Sequence, residues 1–250
     1  MTYLDDFGIL FSCDAFGGFS IPPKIYDEEN IVDEYLHYVK KYIVTIVGHY
    51  KQFIIKNIEK ISSLNIPIKI IAPAHGLIWK RAPKKIIEYY TRIAKGISEK
   101  GKIVAIYSSM YGFVERAMNI AIDELHNLGY CVKIFRFTDK VMDSIADITP
   151  ELADAEAILL GTATYEADVF PHMKYLLNII STKASYKKPI LLITIYGWDS
   201  RAGKMSKEIL SKSGFNIIDL IELRGRLTKD TENHIKTAVR ELIKSISKNV

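Results

Sequence analysis

The stretch KIVAIYSSMYGFVERA, Lys102–Ala117, decides the fold. It opens with a short β-rich run, Lys102–Tyr107, and from about Val114 its apolar residues recur at helical spacing as far as Leu128. Gly129 follows as a helix stop signal. The alternation then repeats at steady spacing. Strands are predicted at Cys131–Phe137, Ala157–Leu160, Pro189–Tyr196 and Asn216–Leu223, and helices at Pro171–Ile180, Ala202–Ser213 and about Asp230–Ser247. Nearly continuous apolar strands separated by helices imply a parallel sheet covered on both faces, wound in both directions. Five strands of this kind make an α/β domain, and its ligands belong at the carboxyl ends of the strands near the topological switch point. Three segments should converge there: Ser108–Val114, Gly161–Val169 and Tyr196–Gly203.

The first hundred residues have a different character. Gly8–Ser12 reads as a short strand ending at Asp14, with Gly17 and Gly18 marking a tight loop. Asp33–Tyr42 and Gln52–Leu64 are amphipathic, and Ile66–Ala72 is a strand that stops at Pro73-Ala74-His75-Gly76. Pro83–Ser98 reads as a helix running into EKGK, Glu99–Lys102, a short hinge. Two strands and three helices make a poor independent core, so this half is expected to be part of a domain. The boundary falls at residues 98 and 99.

Composition narrows the class. The 250 residues are 48% hydrophobic and 25% charged, which excludes wholesale disorder. A net charge of +5, without a basic stripe interleaved with aromatics, argues against nucleic acid. The longest apolar run, Ile190–Tyr196, is far short of the ~20 residues that span a bilayer, so no membrane role is expected. The start, MTYLDD, is acidic and resembles no signal peptide. Cys13 and Cys131 cannot make a disulfide framework, which points to the cytoplasm. Cys13 is expected to be a small buried residue, and His49 a loop histidine before a helix.

The three loops carry the chemistry. Ser108 and Ser109 offer hydroxyls, and the amides from Met110 through Tyr111, Gly112 and Phe113 to Val114 lie where a helix begins, a natural phosphate seat. The competing reading is a serine N-cap on an ordinary helix. There is no P-loop lysine and no G-x-G-x-x-G, so neither a nucleoside triphosphate nor a dinucleotide is indicated. The second loop, GTATYEADVFP (Gly161–Pro171), sets Ala163, Thr164, Tyr165 and Glu166 just after a buried strand. The third, YGWDSRAG (Tyr196–Gly203), does the same for Tyr196, Gly197, Trp198, Asp199 and Ser200. Aromatics at strand ends can sandwich a planar ring, gaining about 0.5–1.5 kcal/mol per pair beyond burial. A phosphate seat beside a ring clamp suggests flavin mononucleotide (FMN).

At these residues the chain resembles the flavodiiron proteins (A-type flavoproteins). Y-x-S-M-Y-G, the T-Y after the third strand and the Y-G-W after the fourth match that family's FMN loops, and residues 99–250 resemble its flavodoxin-like domain. Residues 1–98 resemble the C-terminal portion of its metallo-β-lactamase-like domain. There ILFSCDAFGG (Ile9–Gly18) is similar to the segment with the bridging aspartate, and IIAPAHGLIWK (Ile70–Lys80) to the one with the last histidine ligand. The implied fold is thus a flavodoxin-like doubly wound five-stranded sheet preceded by a partial metallo-β-lactamase-like segment. The implied function is FMN-dependent electron transfer from a small redox carrier to a di-iron site that reduces O2 or NO. The alternative is a flavin-free assembly subunit that keeps the fold without the redox activity.

Departures from the family pattern bear on both sites. Val114 stands where the family has a phosphate-binding hydroxyl, and Glu166 where it has an asparagine. In the third loop Asp199 and Ser200 replace a small, flexible pair, with Arg201 and Lys204 to offset the charge. Only Asp14 and His75 match metal ligands; the H-x-E-x-D-H stretch and the further upstream histidine have no counterpart. Two ligands cannot hold two irons. A di-iron centre is therefore expected only if a partner chain supplies the remaining ligands, and the chain is expected in a homo-oligomer or in a complex with a polypeptide supplying the missing N-terminal half.

Overall fold

The computed structural model describes residues 1–184 and 186–247. The chain forms two compact units, Met1–Ile97 and Ser98–Val250.

In the second unit the strands are β4 (Lys102–Ser109), β5 (Cys131–Thr138), β6 (Ala157–Tyr165), β8 (Pro189–Tyr196) and β9 (Asn216–Arg224). All five are parallel and lie in the order β5-β4-β6-β8-β9, which in chain order is 2-1-3-4-5. The direction of winding changes between β4 and β6, so a crevice opens there at the carboxyl ends. Helices α4 (Phe113–Asn127) and α8 (Lys229–Ser247) pack on one face. Helices α6 (Pro171–Lys183) and α7 (Arg201–Lys212) pack against each other and cover the other. Alternate strand residues serve the two faces. Ile103, Ala105, Tyr107, Leu159, Leu191 and Ile193 belong to the cluster under α4 and α8. Val104, Ile106, Ile158, Leu160 and Leu192 point the other way and are equally buried.

Two elements go beyond the sequence expectation. A short helix, α5 (Ile145–Glu151), contains Pro150, and a two-residue strand, β7 (Asp168–Val169), pairs antiparallel with the end of β6. EKGK is no free hinge. The Glu99 N–H donates to the Asp154 carbonyl at 2.7 Å, the Gly101 N–H to Glu156 Oε2 at 2.8 Å, and Lys102 already belongs to β4. The preceding helix, α3 (Pro83–Lys95), stops early because Gly96 takes the left-handed conformation that caps it.

Gly161 lets α4 approach the middle of the sheet. A Cβ there would sit 2.5 Å from Met118 Sδ and 3.0 Å from Tyr107 Cβ, both buried. Gly161→Ala is expected to destabilise the unit by about 2 kcal/mol through overpacking, measured by chemical denaturation.

The first unit contains three strands rather than two: β1 (Thr2–Leu4) runs antiparallel to β2 (Ile9–Cys13), and β3 (Ile70–Pro73) parallel to it. β1 escapes the sequence reading because three residues at a terminus show no periodicity. Around the sheet lie α1 (Glu29–Thr45), α2 (Lys51–Ser63) and α3. Trp79 is fully buried and donates its indole N–H to the Phe16 carbonyl at 2.9 Å. Cys13, expected to be buried, is exposed. In β2 the even-numbered Leu10 and Ser12 turn inward, and the pleat therefore sends Phe11 and Cys13 outward. His49 lies in a 3-10 turn, Gly48–Tyr50, just before α2.

Candidate cofactor site

The crevice at the switch point holds a cavity of about 440 Å³, within the range of small-molecule sites. Its walls come from the three loops. Ser109, Met110, Tyr111, Phe113 and Val114 contribute from the first, Ala163, Thr164, Tyr165 and Glu166 from the second, and Tyr196, Gly197 and Trp198 from the third. Ile195 and Gly225 complete the lining. Three positions singled out in the sequence stand outside it. Gly112 is the N-cap of α4, at φ 78°. Asp199 turns to Arg201, whose Nε donates to it at 2.6 Å, and the Ser200 hydroxyl donates to Glu222. Both side chains are recruited by the start of α7 and its neighbour β9.

Local chemistry holds the loops in place. Thr164 Oγ1 accepts the Ala202 N–H at 3.1 Å, so the second loop caps α7, the helix that ends the third. Arg224 Nε donates to the Gly197 carbonyl at 3.3 Å and the Gly225 N–H to the Tyr196 carbonyl at 3.2 Å, tying the third loop to the end of β9. Beneath the floor, the Ser108 and Thr162 hydroxyls pair at 2.9 Å. Burial and the adjacent Glu115 carboxylate push the Tyr107 phenol up to about 12, so it stays protonated and donates to Glu115 at 3.0 Å.

The lining suits a phosphorylated planar ring. Trp198 is 97% exposed and Tyr111 79% exposed, so both rings lie open to solvent at the cavity's edge. Large apolar surface left open beside a concave site is what a ring clamp needs. The first amides of α4 have no intrahelical acceptor, and Gly112 has no side chain to cap them. The serine-cap reading is replaced by a weaker contact, in which Ser109 Oγ lies 3.4 Å from the Glu115 N–H.

Val114 is buried against the core while lining the cavity. Val114→Thr places a hydroxyl beside the helix N-terminus and is expected to tighten FMN binding about fivefold, the worth of one hydrogen bond of about 1 kcal/mol. Isothermal titration measures it.

The sequence pattern of the NADPH-dependent FMN reductase family matches residues 101–225, half of the chain and the part that holds this cavity. The chain belongs to that family of flavoproteins. Over nearly its whole length it also follows the C-terminal part of flavodiiron proteins. A variant of the flavo di-iron protein from Thermotoga maritima is 41% identical with a TM-score of 0.89, over 96% of this chain and 59% of that one. The nitric oxide reductase of Moorella thermoacetica is 30% identical over 217 residues, 87% of this chain and 53% of that protein. The coenzyme F420H(2) oxidase of Methanocaldococcus jannaschii is 28% identical over 98% of this chain and 60% of that protein. The chain thus spans between half and three fifths of these relatives. The flavodoxin-like fold and the partly lactamase-like first unit are those of flavodiiron proteins.

In the flavodiiron-type first unit, Asp14 and His75 come together, with Asp14 Oδ1 3.7 Å from His75 Nε2. His75 Nδ1 lies 3.3 Å from the Gly18 carbonyl, which only accepts. No cluster of three or more His, Cys, Asp or Glu suited to a metal occurs among the described residues. The donor set of this chain does not fit a di-iron centre.

Proposed function

We propose that the chain is an FMN-binding electron-transfer flavoprotein, with residues 99–250 as its flavodoxin-like flavin domain and residues 1–98 as a partial metallo-β-lactamase-like domain. The observation that carries this reading is the 440 Å³ cavity at the switch point, walled by the three loops and lying within the FMN reductase match. The amides of Phe113 and Val114 seat the phosphate at the positive end of α4. Tyr111, Tyr165, Tyr196 and Trp198 flank the ring, while Ala163 and Gly197 allow close approach of the backbone. When bound, FMN supplies a ring that takes up electrons and passes them on. The protein's part is to hold that ring at the surface, where a carrier can reach it.

The electron donor is a small redox carrier. Reduction of O2 or NO at a di-iron centre requires a partner chain that adds ligands to Asp14 and His75. The first unit's surface supports such a complex. Phe7, Phe11, Tyr50 and Phe53 are exposed, and a cavity of about 240 Å³ opens beside Tyr50 and Phe53. The complex is either a homo-oligomer or an assembly with a second polypeptide. Two free, exposed cysteines suit the reducing cytoplasm, and no helix among the described residues is long and apolar enough to cross a membrane.

The test is anaerobic mixing of the FMN-loaded chain with a reduced one-electron iron–sulfur carrier. Bleaching of the flavin absorbance supports the reading. A flavin that stays oxidised while the carrier remains reduced overturns electron transfer and leaves the assembly-subunit role.

A further inference from the structure

Among the described residues that line the cavity, Glu166 is the one that carries a charge; the others are apolar, hydroxylic or glycine. No ion pair or hydrogen bond to the Glu166 carboxylate occurs among the described residues, although Lys174 is nearby in the adjoining groove, where it pairs with Asp168. The backbone fixes the position of this carboxylate. Tyr165 and Asp168 face each other across the β6–β7 hairpin, leaving Glu166 and Ala167 as a two-residue loop with φ of 51° and 60°. Positive φ at both loop positions is the type I′ geometry that matches the twist of paired strands. Glutamate and alanine seldom adopt it, so the strand pairing holds the turn and keeps Glu166 at the cavity wall.

We infer that Glu166 sets the ratio in which this cavity binds oxidised and reduced flavin, making the bound flavin a stronger reductant than it would be beside a neutral residue. The inference rests on the flavin reading of the same cavity. Two electrons with one proton leave the ring with one additional negative charge. A fixed, unpaired carboxylate in the wall disfavours that charge, while the oxidised ring, which is neutral, feels it little. Lining residues without positive charge offer nothing to cancel the effect. Because Glu166 is exposed, salt screens part of it.

The experiment is an equilibrium reductive titration of the FMN-loaded chain against a redox dye, for the wild type, Glu166→Gln and Glu166→Asp, at low and high ionic strength. Glu166→Gln is expected to favour the reduced form about tenfold, an upward shift of about 30 mV for a two-electron couple. Glu166→Asp keeps the charge and is expected to titrate with the wild type. The gap between wild type and Gln variant should narrow as salt rises. Equal midpoints for all three flavin-loaded proteins would overturn the role of Glu166 and leave the flavin site standing. If Asp and Gln shift together, the side chain acts through loop geometry, which also overturns it. A wild type that retains no flavin removes the underlying reading and the inference with it.

Discussion

Trp198→Ala is expected to weaken FMN binding about 100-fold while leaving the stability of the protein unchanged. The side chain is 97% exposed, so removing it opens no core cavity and surface substitutions of this kind stay within about 0.5 kcal/mol. Its worth appears only when a ring lies against it. One face of an indole covers roughly 100 Å² of apolar surface, and at about 25 cal/mol per Å² with a stacking increment this reaches about 3 kcal/mol. A 100-fold change in Kd corresponds to about 2.7 kcal/mol. Trp198→Phe should recover most of the loss. Flavin fluorescence titration measures both, and a Kd within threefold of wild type for the alanine variant would place the ring elsewhere.

The second large effect lies in the first unit. Asp27 is 1% exposed, and its carboxylate accepts four contacts from three backbone N–H groups. Oδ1 takes Lys80 at 2.8 Å and Arg81 at 2.9 Å, while Oδ2 takes Arg81 at 3.1 Å and Ala82 at 2.8 Å. These three residues lead into α3, whose N-cap is Ala82, so the carboxylate fixes the entry of the helix beside its positive end. Asp27→Ala strands these donors in a buried place. Charge-assisted bonds contribute about 1.5–3 kcal/mol each and do not add fully, so a loss of about 4 kcal/mol is expected. Asp27→Asn, which keeps part of the acceptor capacity, should lose about half as much. The chain has two tryptophans, and Trp198→Phe leaves buried Trp79 as the reporter of this unit. Denaturation followed by Trp79 emission measures the loss. A cost below 1 kcal/mol would contradict the account of the loop.

Legibility in the sequence followed the range of the interactions. β8 is legible to its observed bounds, Pro189–Tyr196, because eight residues that are apolar but for Thr194, set between turn signals, admit few other readings. β6 was read as Ala157–Leu160 but runs to Tyr165, since its last residues are polar and small and are held by pairing with β7 and β8. That extension sets the tight turn at Glu166, which no local pattern announces because glutamate and alanine are poor residues for it. The three loops of the cavity were legible because a doubly wound sheet dictates where strand ends gather. Gly225 follows the fifth strand, where no motif marks it as part of a site, and Ile195 reads as plain core. The Asp27 contacts span 53 to 55 residues of sequence, and such a partnership exists only once the fold has formed. Cys13 was misread through composition, since cysteine is usually buried but the strand pleat decides each position.

One measurement tests the central claim most directly. The purified, untagged chain is incubated with FMN, desalted, and its visible absorption spectrum recorded. The account predicts retained flavin bands at about one flavin per chain, absent or strongly reduced in Trp198→Ala. A colourless wild-type protein would contradict it.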